Sequence, residues 1–271
     1  VGVTRVEVDV LVPTFQRPDA LAVTLAGLAA QTCRSFRVVV SDQTADPVAT
    51  VPLVAATTRI LEQHGIPVEH HHHAPPRGLA ENRQHLLSLA RAPHVLFLDD
   101  DVWLEPWAVE RLLEAIAALR CGFVGFAVQG LSYRDDHRPA ELEPFEEWVG
   151  GVRPERVRRG GPKWQRFTLH NAANPTHLGE RLGLRPGEWR AYKVAWVGAC
   201  VLYRRDALAD AGGFSFWKDL PREHVGEDVV AQLRVMERHG GAGLLPSGAV
   251  HLELPTTVPQ RDVNCYDAVG L

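Results

Sequence analysis

Three consecutive carboxylates, Asp99, Asp100 and Asp101, end the apolar run "HVLFL". Adjacent like charges repel, and burying them unpaired is costly, so the chain must bring a cation to them. Three chemistries fit such a cluster. One carboxylate can cap a helix expected from about Glu105 to Leu119, which leaves the other two unexplained. An Asp can be a phosphatase-type nucleophile, but the partner motifs for that are not evident. A carboxylate can also hold Mg²⁺ or Mn²⁺ while the ion grips a diphosphate, because these ions need only one or two carboxylates when phosphates complete the shell. Thr14 and Asp42 stand at two other expected strand ends, and that company favours the third chemistry. A second acidic pair, Glu227-Asp228, opens "GEDVVAQLRVMERHGG". One acid there suits the positive end of a helix, and the other is then free for proton transfer. His70 to His73 alternate sides if they lie in a strand, so the four do not form one compact site.

The elements that carry these residues alternate in period. "VEVDVLV" (6–12) reads as a strand and the segment from Pro18 as a helix, with proline in its first turn. "FRVVVS" is a second strand, "PVATVPLVAATTRILEQHG" a helix closed by Gly65, and "IPVEHHHH" a third strand. A helix over "GLAENRQHLLSLARA", a strand at "HVLFL", the helix from Glu105 and a fifth strand at "CGFVGFAVQ" complete the first half. Strands alternating with helices indicate βαβ units and a mainly parallel sheet, which binds ligands at the carboxyl ends of its strands. Periodicity fades between Gly130 and Arg190, apart from a short helix within "HNAANPTHLGERLG". It returns as one strand running into a short helix across "AYKVAWVGACVLYRRDALADAGGF", then an amphipathic helix closed by Gly240. Three regions follow: residues 1–129, an inserted segment 130–190, and 191–271, the last completing the domain begun by the first.

The chain has 271 residues, 45% apolar and 23% charged, with a net charge of −4, the profile of an ordinary globular protein. That balance excludes a basic nucleic-acid footprint, and no segment approaches the roughly 20 apolar residues of a membrane helix. Peripheral membrane contact stays open. Cys33, Cys121, Cys200 and Cys265 form no CxxC pair, so reduced thiols in a cytoplasmic protein are expected, with no secretory leader read at the N-terminus.

Six segments together resemble the family 2 glycosyltransferases of GT-A fold. "VDVLVPTFQRPDALAVTLAGLAAQT" is similar to that family's opening strand, turn and helix; "FRVVVSDQTAD" to its second strand; "RGLAENRQHLL" to its G-x-x-x-x-R segment; and "VLFLDDDVWLEP" to its DxD region. "WVGACVLYRRDALADAGGF" followed by "GEDVVAQLRVMERHGG" resembles its acceptor-side pair. Two departures are Gln84, where Asn is frequent, and Ser41-Asp42-Gln43-Thr44, where Asp-Asp-Gly-Ser is common.

The resemblance implies an α/β, Rossmann-like, mainly parallel sheet flanked by helices. It implies an inverting transferase moving a sugar from a nucleoside diphosphate (UDP first, then GDP or dTDP) to a saccharide or glycoconjugate hydroxyl. It places Pro13, Thr14, Phe15, Arg17, Asp42, Arg83, Asp99 and Asp100 at the donor nucleotide, with Thr14 and Asp42 on the base. It places Mn²⁺ or Mg²⁺ on Asp101 with Asp99 and His251, and the general base at Asp228 with Glu227 beside it. Arg77 could add a pyrophosphate contact. Trp196, Gly198, Trp189 and Asn171, with Trp148, Trp164 and His170, form the expected acceptor surface, although tryptophans in such a segment often only fill a core. Two other classes compete. A sugar-1-phosphate nucleotidyltransferase would carry G-x-G-T-R where this chain has "PTFQRP", and a nucleotide-sugar-binding protein without turnover would have no need to keep both Asp101 and Asp228.

Overall fold

The computed structural model describes residues 5–270. In chain order the elements are β1 (Val8–Thr14), α1 (Pro18–Ala29), β2 (Phe36–Asp42), α2 (Pro52–Gln63), β3 (Val68–His72), α3 (Leu79–Leu89) and β4 (His94–Leu98). There follow β5 (Val102–Leu104), α4 (Ala108–Leu119), β6 (Phe123–Gly125), α5 (Asn174–Leu182), β7 (Arg190–Tyr192), β8 (Cys200–Arg204) and α6 (Arg205–Asp210). The last elements are α7 (Glu227–His239), β9 (Gly241–Leu245), β10 (Ala249–His251) and α8 (Cys265–Ala268).

Eight strands form one sheet in the order β3-β2-β1-β4-β8-β6-β9-β7. β3, β2, β1 and β4 run parallel, as do β6 and β9. β8 lies antiparallel between β4 and β6, and β7 pairs antiparallel with β9 at the edge. Every residue of β1 is buried because both faces of the sheet are covered. Val8, Val10 and Val12 enter the core shared with α1, α2 and α4, while Leu11 faces the core shared with α3 and α7. Register sets Thr14 beside Asp42 and Asp42 beside His72, so the polar strand ends share one edge.

Four local expectations change. The helix sought from Pro47 breaks into a single 3₁₀ turn and α2, since Pro52 holds Val51 extended at φ −68°, ψ 127°. The helix sought from Glu105 begins at Ala108, because Val102–Leu104 pair antiparallel with β10. The strand sought over residues 121–129 keeps only Phe123–Gly125 in the sheet, and Gln129 bridges to Val250. The single strand sought after Arg190 is two, β7 and β8, separated by β6 and β9 in the sheet. The break before α2 is a local proline effect, whereas the other three changes come from pairing between segments distant in sequence, which local periodicity does not encode.

The amino ends of the strands are fixed by a buried ion pair. Asp9 Oδ1 accepts from Arg37 Nε at 2.6 Å, and its Oδ2 accepts from the Arg91 and Ala92 amides at 2.5 and 2.8 Å. Burial opposes ionisation of Asp9, but Arg37 and the two amides outweigh it and hold the carboxyl below its usual value. Asp9→Ala removes the buried partner of Arg37 Nε, leaving that guanidinium only Glu69 and the Leu89 carbonyl and the Arg91 and Ala92 amides unpaired, and is expected to cost about 3 kcal/mol in urea unfolding. Because the folded pKa is depressed, the carboxylate's contribution is present above the unfolded value near 3.8 and is lost as pH falls through the folded one.

Candidate functional site

The carboxyl ends of β1 and β4 open on a cleft of about 540 Å³, bounded opposite by the loop into α7 and by the chain after β10. Asp100 turns inward. Its Oδ2 accepts from the Thr14 hydroxyl at 2.7 Å, and its carbonyl accepts from the Thr24 hydroxyl at 2.9 Å. Burial, reinforced by the charges of Asp101 and Asp99, pushes its carboxyl up to about 7. Asp101 faces the cleft with Oδ2 2.5 Å from Arg17 Nη1 and 3.5 Å from His251 Nε2. Burial and then Asp99 raise the Asp101 carboxyl above its usual value.

Across the cleft, Glu227 and Asp228 open α7 behind Gly226, whose φ of +83° favours a residue without a side chain. Arg83 joins the two sides: Nη2 donates to Asp99 Oδ1 at 2.7 Å and Nε donates to Glu227 Oε1 at 2.9 Å. Burial alone would lower this guanidinium, but Asp99, Glu227 and Asp228 hold it above its ordinary value. Asp228 keeps no ion-pair partner among the described residues and accepts only from its neighbour's amide, Val229 N, at 2.8 Å. Burial and the adjacent Glu227 raise its carboxyl to about 7, where a group accepts and returns protons near neutrality.

Gly78 and Arg83, the ends of the G-x-x-x-x-R segment, meet the same loop. A Cβ at Gly78 would stand 2.5 Å from the Arg222 carbonyl and 2.7 Å from His224 Cε1, so only glycine lets α3 start this close. His224 fixes the contact, with Nε2 accepting from Ala80 N at 3.1 Å and Nδ1 donating to the Pro221 carbonyl at 2.8 Å. Those bonds occupy both ring nitrogens, so the buried grouping of His224, Glu227 and Cys265 is packing around α3 rather than a cation site.

Pro13, Thr14, Phe15, Arg17, Arg83, Asp99, Asp100, Asp101, Glu227, Asp228 and His251 line the cleft; Asp42 does not. Asp42 was expected at the base, but its oxygens accept from the Thr44 and Val48 amides at 2.8 and 2.7 Å and close its own turn, leaving Gln43 to face the cleft. Trp189, Asn171, Trp196, Gly198 and Arg77 also lie off the cleft wall. Trp189 donates to Glu114 and Asn171 to Glu141, while Trp196 stacks parallel on Phe167 at 5.8 Å and tilts against Trp164 at 4.9 Å. The Cβ direction of Gly198 is open. Trp148 donates to the Gly241 carbonyl, and His170 is pushed down to about 3 by burial. The histidine run alternates: His70 sits 3.0 Å from the Thr58 hydroxyl, while on the other face His73 stacks at 3.8 Å on His85. All four cysteines are free, and no described helix is long and apolar enough to cross a membrane.

Sequence reading missed Gln43, Asn82, His224 and the cleft wall from Leu254 to Arg261. The proline- and threonine-rich chain following His251 was the only trace of that wall.

Hard oxygen ligands suit Mg²⁺ or Mn²⁺ at Asp101, with phosphate oxygens completing the shell. His251 is constrained: its Nδ1 accepts from Glu253 N at 2.9 Å, so neutral Nε2 carries the proton toward Asp101. It could ligate only in the other tautomer, giving up that bond.

Residues 9–186 match the family model for glycosyl transferase family 2. No curated protein matches the sequence. Among solved structures, S. aureus TarS 1-349 with UDP-GlcNAc superposes with TM-score 0.60 at 15% identity, over 93% of this chain and 60% of that one. A mannosyltransferase from Pyrobaculum calidifontis with GDP-Man and Mn²⁺ gives 0.52 at 17% identity, over 88% and 56%. A further TarS structure gives 0.54 at 17%, over 88% and 35%. The sheet and its flanking helices thus share the GT-A fold, and the chain spans 35–60% of the length of these solved chains.

Two outcomes test the electrostatics. Arg83→Ala leaves Asp99 and Glu227 facing each other unpaired and is expected to lower stability by about 3–5 kcal/mol in urea, with Arg83→Lys recovering only part. Raised carboxyls stabilise the fold below their unfolded pKa and lose that contribution as pH climbs through the folded one. With Asp100 and Asp228 at about 7, the thermal midpoint of metal-free protein should fall between pH 5 and 8. Asp100→Asn should flatten that fall.

Proposed function

Since the chain belongs to glycosyl transferase family 2, we propose that it moves a sugar, with inversion, from a nucleoside-diphosphate sugar to a hydroxyl of a saccharide or glycoconjugate. One observation carries the reading: the acids at the end of β4 face Glu227-Asp228 across one cleft, with Arg83 bridging Asp99 and Glu227. The solved relatives carrying UDP-GlcNAc and GDP-Man support a nucleotide-sugar donor, with UDP first choice.

The base lies against Pro13, Phe15 and Gln43, and the Thr14 hydroxyl retains lone pairs to accept from it. Asp99, with one oxygen on Arg83, offers the other to ribose hydroxyls, as Asp100 does on losing its proton. Asp101 would hold a divalent ion, and such an ion when bound would supply positive charge to offset that of the departing diphosphate. Asp228 accepts the proton of the acceptor hydroxyl as that oxygen forms its bond to the anomeric carbon on the face opposite the leaving group. Glu227, tied to Arg83, holds the start of α7 so that Asp228 faces the cleft. Beyond Gly226, Tyr266, Trp164, Trp196 and Phe167 form a continuous aromatic ledge suited to acceptor sugar rings.

Asp228→Asn should reduce kcat by about 10²–10⁴ while donor affinity by calorimetry stays near wild type. Loss of donor binding would move Asp228 to the donor side. In the wild type kcat/KM should rise with pH through about 7 as the base deprotonates. A thermal-shift panel of UDP, GDP, dTDP, CDP and ADP, each with and without Mn²⁺, should single out one nucleotide; hundredfold saturation adds about 2.7 kcal/mol. That metal-dependent increment should vanish in Asp101→Asn.

A further inference from the structure

Arg17 occupies an unusual place. Nη1 donates to Asp101 Oδ2 at 2.5 Å and reaches Asp100 Oδ1 at 3.5 Å, while Nη2 donates to the Pro255 carbonyl. The guanidinium is largely shielded, with 14% of its side chain exposed, so these charge-assisted bonds are little screened by solvent. It stands on the carboxylate oxygen that faces the cleft and His251.

Pro255 belongs to a strap that crosses the cleft. The strap starts where Leu252 N donates to the Asp101 carbonyl at 2.9 Å and ends where Val225 N donates to the Val263 carbonyl at 3.0 Å. Leu254, Thr256, Thr257, Val258, Pro259 and Arg261 line the cleft between those anchors. Among the described residues, the Arg17–Pro255 bond is the only hydrogen bond from residues 254–262 to the rest of the protein, and no ion pair supplements it. The strap is otherwise mostly solvent-exposed, the kind of segment that opens at low free-energy cost.

We propose that Arg17 is a built-in counter-ion of Asp101 that exchanges with a divalent cation, and that its departure unlatches the 254–262 strap from the donor cleft. A divalent cation on Asp101 stands beside the Arg17 guanidinium and repels it, so cation binding weakens the Arg17–Asp101 bond and, with it, the hydrogen bond by which Arg17 holds the strap. The donor path then opens when the cation arrives. Linkage makes the coupling reciprocal: the latch weakens cation binding by the factor by which the cation weakens the latch. The proposal rests on the assignment of the divalent-ion site to Asp101.

The test uses the full chain and Mn²⁺ alone, read as Mn²⁺ affinity by electron paramagnetic resonance and as amide exchange across residues 252–264. Saturating Mn²⁺ should accelerate exchange of the strap in the wild type. R17Q should bind Mn²⁺ about tenfold more tightly, within the usual range of such couplings, and its strap should exchange rapidly without metal. R17K separates the two roles: it keeps a charge on Asp101 and an affinity near wild type, but a single ammonium cannot span to Pro255, so its strap is fast. Equal or weaker Mn²⁺ binding in R17Q, or strap exchange indifferent to both Mn²⁺ and R17Q, would overturn the latch while leaving the Asp101 metal site standing. Wild-type affinity in D101N, or no Mn²⁺ binding by any form, would overturn the metal assignment and the latch with it.

Discussion

Burying a run of carboxylates at the end of a core strand is the constraint from which the rest of the site follows. Asp99, Asp100 and Asp101 cannot all stay charged in a partly desolvated cleft without cations, and the fold brings two guanidinium groups from opposite directions. Arg83 comes from α3 and clamps Asp99 to Glu227; Arg17 comes from the turn before α1 and clamps Asp101 to the strap. Asp100, turned inward, relies on Thr14 and on a pKa near neutrality.

The two clamps differ in what they join. Arg83 ties together elements whose positions are fixed by packing, since α3 and α7 both cover one face of the sheet. Its bonds are enclosed, and breaking one exposes a buried charge, so this clamp is architectural. Arg17 ties a fixed strand end to an exposed segment that, among the described residues, has no other hydrogen bond to the body. The same bond chemistry therefore gives a permanent joint in one place and an exchangeable one in the other, because burial of the partners differs.

The acid pair at the start of α7 shows how one helix end serves two purposes. Glu227 takes the Arg83 hydrogen bond, Asp228 has no ion-pair partner among the described residues, and burial with the adjacent Glu227 raises its proton affinity into the neutral range. Substitution at Glu227 would thus change Asp228 through the loss of a neighbouring charge and of the joint that aims it. Gly78 and His224 perform the matching task for α3, allowing the Arg83-bearing turn to approach the loop before the acid pair.

Period and residue chemistry, both local properties, located the βαβ beginning, the shared strand ends and the acids standing there, while Arg17 and Arg83 were pointed to by the resemblance to family 2 glycosyltransferases. The alternation of His70 to His73 was legible for the same reason, since a strand turns successive side chains to opposite faces. The insertion of β8 between β4 and β6, the pairing of β5 with β10 and the strap after His251 depend on contacts between distant segments, and only the tertiary structure decided them. Tertiary structure also redistributed the side chains. Asp42 closes its own turn, Trp189 and Asn171 serve the packing of the inserted segment, and Arg17, one of several arginines in the sequence, stands on Asp101. A sequence supplies the charges, but which charge meets which is settled by the strands that carry them and the burial that makes each pairing necessary.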